Sequence, residues 1–167
     1  MTQQADTEIA RDLRVFGRNL FTARERVSPD QHAFAKLAGF DRSTISKVEC
    51  GKQAPKFDTF LALARAAGVT PADLLNGVGL TQSPYGSPSN QGARTLIAAT
   101  RFGANLKWTR EQAGLSHEEL GEEADADRSL ISDWEHGKRE ANLRTILKLA
   151  RALEIPAALL LQGLEPG

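Results

Sequence analysis

Side chains able to do covalent or metal chemistry are sparse in this chain. They are His32, His117 and His136, a single cysteine, Cys50, and a run of carboxylates at Glu118, Glu119, Glu122, Glu123, Asp125 and Asp127. Histidine with cysteine or carboxylate at helical spacing would point to a metal centre, and a nucleophile beside a histidine to acyl transfer. The spacings support neither. No pair of His or Cys falls on one helical face at ligand separation, and neither a glycine-rich phosphate loop nor a nucleophile motif occurs. The sequence therefore predicts no enzyme, no metal and no cofactor. The acidic run reads as a solvated face that favours the N-terminus of its helix.

The bulk numbers describe where such a chain can work. At 167 residues it could form one ordinary domain or two small ones. Hydrophobic residues at 41% and charged ones at 25% are those of a soluble globular protein. No apolar run approaches the ~20 residues needed to span a bilayer, the N-terminus lacks the pattern of a signal peptide, and one cysteine excludes an internal disulfide. A cytoplasmic protein is expected. Net charge is zero. Residues 1–83 carry 11 basic against 9 acidic side chains, and residues 84–167 carry 10 against 12. Affinity for a polyanion would then rest on a few positioned cations and helix N-termini, not on a broad field.

The chain repeats itself. Phe16-Gly17 lies 86 residues before Phe102-Gly103, and the register holds without a gap for about sixty residues, a duplication. It superposes Asn19 on Asn105, Arg24 on Arg110, Asp41-Arg42-Ser43 on Asp127-Arg128-Ser129, and Ile45-Ser46 on Ile131-Ser132. It continues through Glu49 on Glu135, Gly51-Lys52 on Gly137-Lys138, and Leu74-Leu75 on Leu160-Leu161. The sequence thus divides into a first domain over residues 1–76, a Gly/Ser/Pro-rich linker over 77–92 and a second domain over 93–167. A flexible linker of this length spans roughly 20 to 24 Å and about 55 Å when taut.

Each copy reads as five helices, and the fold as all-α. Ile9, Leu13, Phe16 and Leu20 recur at helical spacing in a long opening helix. Ser28-Pro29-Asp30-Gln31 offers a cap and a first-turn proline for a second helix. Asp41 and Asp127 are expected to cap a third helix that ends at Gly51 and Gly137. A fourth runs from about Phe57 to Ala67, and a fifth follows Thr70-Pro71.

Residues 31–49 place two short helices around a tight turn. Ala35 and Gly121 are small enough for the helices to cross closely, while Gly39 and Asp125 suit a left-handed turn. Ile45 and Ile131, aided by Val48 and Trp134, fill the interior of the third helix, and these four constraints, met twice at one offset, resemble those of the phage repressor and Cro family, the XRE-type helix-turn-helix domains. The likeness covers roughly residues 7–77 and 93–163.

That resemblance implies that the third helix enters the major groove while the second crosses the backbone. Carried over, the base-facing positions are Arg42, Ser43, Ser46 and Lys47, and Arg128, Ser129, Ser132 and Asp133. Phosphate-facing positions are Gln31, Lys52 and Gln53, and His117, Lys138 and Arg139. It also implies two structural ion pairs, Arg24 with Glu49 and Arg110 with Glu135. Arginine can donate twice to guanine, and Lys52 and Lys138 suit phosphates.

The expected function is a sequence-specific, double-stranded-DNA-binding regulator, a repressor reading two related half-sites. The alternative is that only the first domain binds DNA, while the second, with its acidic run, serves dimerisation or contact with another protein. The leucine-rich end of each copy would either fill its own core or pack on a partner domain, the other copy in the chain or a second chain.

Overall fold

The computed structural model describes residues 2–80, 82–86 and 98–164. Among these, the regular structure is ten α-helices and no strand. The first copy comprises α1 (Thr2–Val27), α2 (Gln31–Ala38), α3 (Arg42–Glu49), α4 (Phe57–Ala67) and α5 (Pro71–Leu74). The second comprises α6 (Ala98–Gln112), α7 (His117–Ala124), α8 (Arg128–Glu135), α9 (Leu143–Ala152) and α10 (Ala157–Leu160).

Local chemistry sets most of these boundaries. Helix α2 is capped by Asp30, whose carboxylate accepts the His32 amide at 2.9 Å. The Ser28-Pro29 start expected from the sequence is therefore displaced by two residues. Carbonyls of Ser28 and Pro29 instead accept the Arg24 guanidinium, which holds that segment out of the helix. Helices α5 and α7 carry reciprocal capping boxes, Thr70 with Asp73 and Ser116 with Glu119. Asp127 stands at the N-cap of α8 but makes no side-chain cap bond, unlike Asp41 at α3. Gly39 at φ 80° and Asp125 at φ 54° supply the left-handed turns.

Within each copy the opening helix and the fourth helix enclose the core. Phe16 and Phe60 meet at 5.7 Å between ring centroids, with Leu20, Phe34, Ile45 and Leu63 fully buried around them. The corresponding residues Phe102, Leu106, Leu120, Ile131, Ile146 and Leu149 fill the second copy.

The buried apolar side chains of the two copies form one continuous cluster. Helix α1 packs on α9, and α5 on α10. Reciprocally, Phe57 of α4 meets Phe102 of α6 at 6.0 Å between centroids. The repeat maps α1 onto α6, α4 onto α9 and α5 onto α10. Under that exchange the α5–α10 contact is its own mate, and the α4–α6 contact answers that of α1 with α9, the pattern of a two-fold, self-complementary apolar interface, although α1 and α9 pack more extensively. Leu74, Leu75, Leu160 and Leu161 are at most 1% exposed, so the leucine-rich ends bury against each other inside one chain.

Polar contacts fasten the same interface and break its symmetry. The Leu143 amide donates to the Pro55 carbonyl at 3.1 Å, and Gly79 bridges to Pro156. Asp12, only 4% exposed, accepts the Gly79 amide and the Arg151 guanidinium. Arg151 also reaches Glu8, and Arg144 reaches Asp6. The equivalents of Asp6, Glu8 and Asp12 in the second copy are Gly92, Arg94 and Ala98, so this acidic edge exists once. Of the segment expected as a linker, Val78 is fully buried and Gly79 is anchored; residues 81 and 87–92 lie outside the described residues.

Candidate nucleic-acid interface

In the first copy, α2, the turn at Gly39 and α3 form a helix-turn-helix with its polar residues on one exposed face. Arg42, Ser43 and Lys47 are exposed and Ser46 half-buried, while Ile45 and Val48 point into the core. Asp41 starts α3 by accepting the Thr44 amide at 2.9 Å, the Ser43 hydroxyl at 2.5 Å and the Thr44 hydroxyl at 3.1 Å. These bonds, Ser43 first, hold the Asp41 carboxyl down to about 2. Because its hydroxyl proton is engaged, Ser43 presents lone pairs outward, which suit the amino group of adenine or cytosine.

A buried ion pair joins this face to the body of the domain. Arg24 Nε donates to Glu49 Oε1 at 2.6 Å, with the two side chains 3% and 7% exposed. The other carboxylate oxygen accepts Gln31 Nε2 at 2.7 Å, and Gln31 Oε1 accepts Arg42 Nε at 3.2 Å. One chain of bonds thus runs from the core to an exposed arginine at the start of α3. Lys52 and Gln53 lie exposed in the turn after α3.

The second copy keeps the scaffold and changes the charge. Arg110 grips Glu135 through two bonds, 2.6 and 3.0 Å, and His117 Nε2 approaches the same carboxylate at 2.9 Å. Burial pushes the Glu135 carboxyl up, but the bonds from Arg110 and His117 outweigh it and hold the group below the ordinary glutamate range. Arg128 and Ser129 are exposed and Ser132 half-buried, as their counterparts are. Asp133, where the first copy has Lys47, lies 3.5 Å from Arg139, so a carboxylate on α8 and a cation just beyond its end are paired together. Lys138 is exposed. Lys36 and Leu37 of α2 correspond to Glu122 and Glu123 of α7, and Gly39 to Asp125, which pairs with Lys148 at 3.0 Å.

Two pairs of residues that hold these faces in place escaped their functional reading in the sequence, although the repeat displays both. A Cβ on Gly17 would stand 2.3 Å from the Glu49 carbonyl, and one on Gly103 2.3 Å from that of Trp134. Only glycine lets α3 and α8 end against the opening helices. Asn19 donates to the Leu74 and Asn76 carbonyls, and Asn105 to those of Leu160 and Gln162, which ties α5 and α10 back to their own domains. The cross-domain clamp of Asp12 and Arg151 left no signal, because it is not repeated. Among the described residues no group of His, Cys, Asp and Glu could hold a metal ion, and no helix is long and apolar enough to cross a membrane.

Two exposed helix-turn-helix faces, each on a compact five-helix frame, define a DNA-binding protein of the transcription-regulator class. Family comparison agrees: a model described as a helix-turn-helix domain matches residues 15–76, and one described as helix-turn-helix matches residues 106–160. The chain belongs to the XRE-type helix-turn-helix family, in two tandem copies. Among solved structures it is similar to the restriction-modification controller protein C.AhdI from Aeromonas hydrophila, at 40% identity and a TM-score of 0.37 over 37% of this chain and 94% of that one. No curated protein sequence matches.

Proposed function

We propose that the chain is a single-polypeptide counterpart of a symmetric dimeric regulator, a repressor whose two reading helices, α3 and α8, engage two half-sites arranged as an imperfect inverted repeat. The observation that carries this reading is the reciprocal packing of the copies, α1 on α9, α4 against α6 and α5 on α10. A two-fold relation between domains calls for a two-fold relation between the half-sites they read. The interface, more than the reach of the connecting segment, would then set the half-site spacing.

Arg42 and Arg128, with the serines that follow them, would make the half-sites alike. Lys47 and Asp133 would make them differ, since lysine favours guanine and a carboxylate accepts from cytosine. Selection from random duplex DNA with the intact chain tests this. The expected product is an inverted pair of related half-sites bound by one chain; a direct repeat or a lone half-site would count against it. A promoter carrying the selected site should be silenced when the chain is expressed.

A second reading has an observation of its own. The acidic residues of α7, and the pairing of Asp133 with Arg139, weaken attraction to phosphates, so the first copy alone would read bases while the second holds it in place. Asp133→Lys separates the two. It should alter preference in one half-site and tighten binding if both helices read DNA. It should be inert, beside a defective Lys47→Ala, if only α3 does.

A further inference from the structure

Helix α1 begins well before the helix-turn-helix match, which starts at residue 15, and its charges are sorted by face. Glu8 and Asp12, four residues apart, point to the second copy and are taken up by Arg151, and Asp6 is taken up by Arg144. Arg11, Arg14 and Arg18, spaced three and four residues apart, form a neighbouring stripe. All three are exposed, and none forms an ion pair among the described residues. With Asp6, Glu8 and Asp12 paired to the other copy and Glu25 to Arg24, α1 presents an uncompensated cationic row.

That row adjoins the reading head. The turn that ends α3 comes so close to α1 that a Cβ on Gly51 would lie 2.9 Å from both the Arg14 backbone nitrogen and its Cγ. Lys52, the next residue, is exposed in that turn. The second copy has Thr100 and Ala104 where the first has Arg14 and Arg18, so duplication does not account for the row.

We infer that Arg11, Arg14 and Arg18 form a further DNA-backbone contact, extending the phosphate-facing surface from Lys52 along α1 and belonging to the first copy alone. The partner is the phosphate backbone of the duplex whose groove α3 reads. The stripe is continuous with that surface and carries the complementary charge, and arginines on a helix exterior position without reading sequence. The inference rests on the proposal that α3 engages DNA. It also supplies the first copy with attraction that the acidic second copy lacks.

The test compares the intact chain with a triple Arg→Gln variant and a triple Arg→Lys variant at positions 11, 14 and 18. Each is measured on the selected operator and on random duplex across a salt series, with Lys47→Ala alongside. Each lost phosphate contact lowers the salt slope by about 0.9. The Gln variant should lose a slope of about 2 to 3, so that the affinity lost over a fourfold rise in salt is smaller than in the wild type by a factor of about 16 to 64. Operator and random duplex should weaken by the same factor, and the Lys variant should keep the wild-type slope. Equal slopes for the Gln variant and wild type, or for the Gln and Lys variants, overturn the inference whatever their melting temperatures. If Lys47→Ala still loses operator preference in that case, the reading by α3 stands and only the α1 contact falls. Failure of the wild type to bind duplex DNA would sink both.

Discussion

Glu49 does two jobs through its two oxygens, one closing the ion pair with Arg24 and the other orienting Gln31, which in turn meets Arg42. Glu49→Ala should therefore cost about 3 to 5 kcal/mol, the range for stranding one member of a buried pair. The Ser28 and Pro29 carbonyls retain part of the Arg24 guanidinium and pull the cost towards the lower end. Urea unfolding measures it, and native-like stability of the variant would refute the structural role. Glu135 makes an acid-dependent counterpart. Its folded-state pKa lies below the unfolded one, so the unfolded chain takes up the proton first as pH falls. The contribution of Glu135 is complete above the ordinary glutamate pKa of about 4.3 and is lost as pH falls through the lower folded value. Stability followed from about pH 6 to about pH 3 should fall more steeply in wild type than in Glu135→Gln.

At the scale of elements, α3 and α8 are placed by what their C-termini rest against. Gly17 and Gly103 are interior helical positions where alanine would ordinarily strengthen the helix by up to ~1 kcal/mol. Here contact reverses the sign, because the added methyl would stand 2.3 Å from a backbone carbonyl that cannot rotate away. Gly17→Ala should destabilise by about 1 to 3 kcal/mol, the usual cost of overpacking, and should weaken operator binding by tilting α3. Thermal melting and a binding isotherm on one preparation check both effects. A variant as stable as wild type would mean that α1 and α3 are less closely apposed.

Across the whole molecule, the clamp between α1 and α9 decides whether the copies behave as one cooperative unit. Arg151→Ala leaves the Asp12 carboxylate buried with only the Gly79 amide. The cost should be about 1 to 2 kcal/mol, below that of a fully buried pair because Arg151 is partly solvated. Both tryptophans, Trp108 and Trp134, lie in the second copy. Fluorescence thus reports that copy alone while far-ultraviolet circular dichroism reports both. The two transitions should coincide in wild type and separate in Arg151→Ala. Coincidence in the variant would show that the apolar contacts of α5 with α10 suffice.

The sequence by itself determined whatever the duplication wrote twice. Helical period, glycine and carboxylate punctuation and the identities at one offset specify five helices per copy, the helix-turn-helix and the family to which it belongs, because these depend on near neighbours in the chain. It also displayed Gly17, Gly103, Asn19 and Asn105 without disclosing their purpose, since a glycine forced by a facing carbonyl looks like any other glycine until α3 is laid across α1. The cap of α2 moved from Ser28 to Asp30 for a similar reason: the Arg24 guanidinium, held in place by Glu49 of α3, claims the carbonyls that the local pattern assigns to a helix. Only the tertiary structure decided that the leucine-rich ends meet inside one chain with two-fold reciprocity, and that Asp12 is buried under Arg151. Those contacts join residues far apart in the chain, 139 positions for Asp12 and Arg151, and they lie between the copies rather than within either, so neither periodicity nor repetition could announce them.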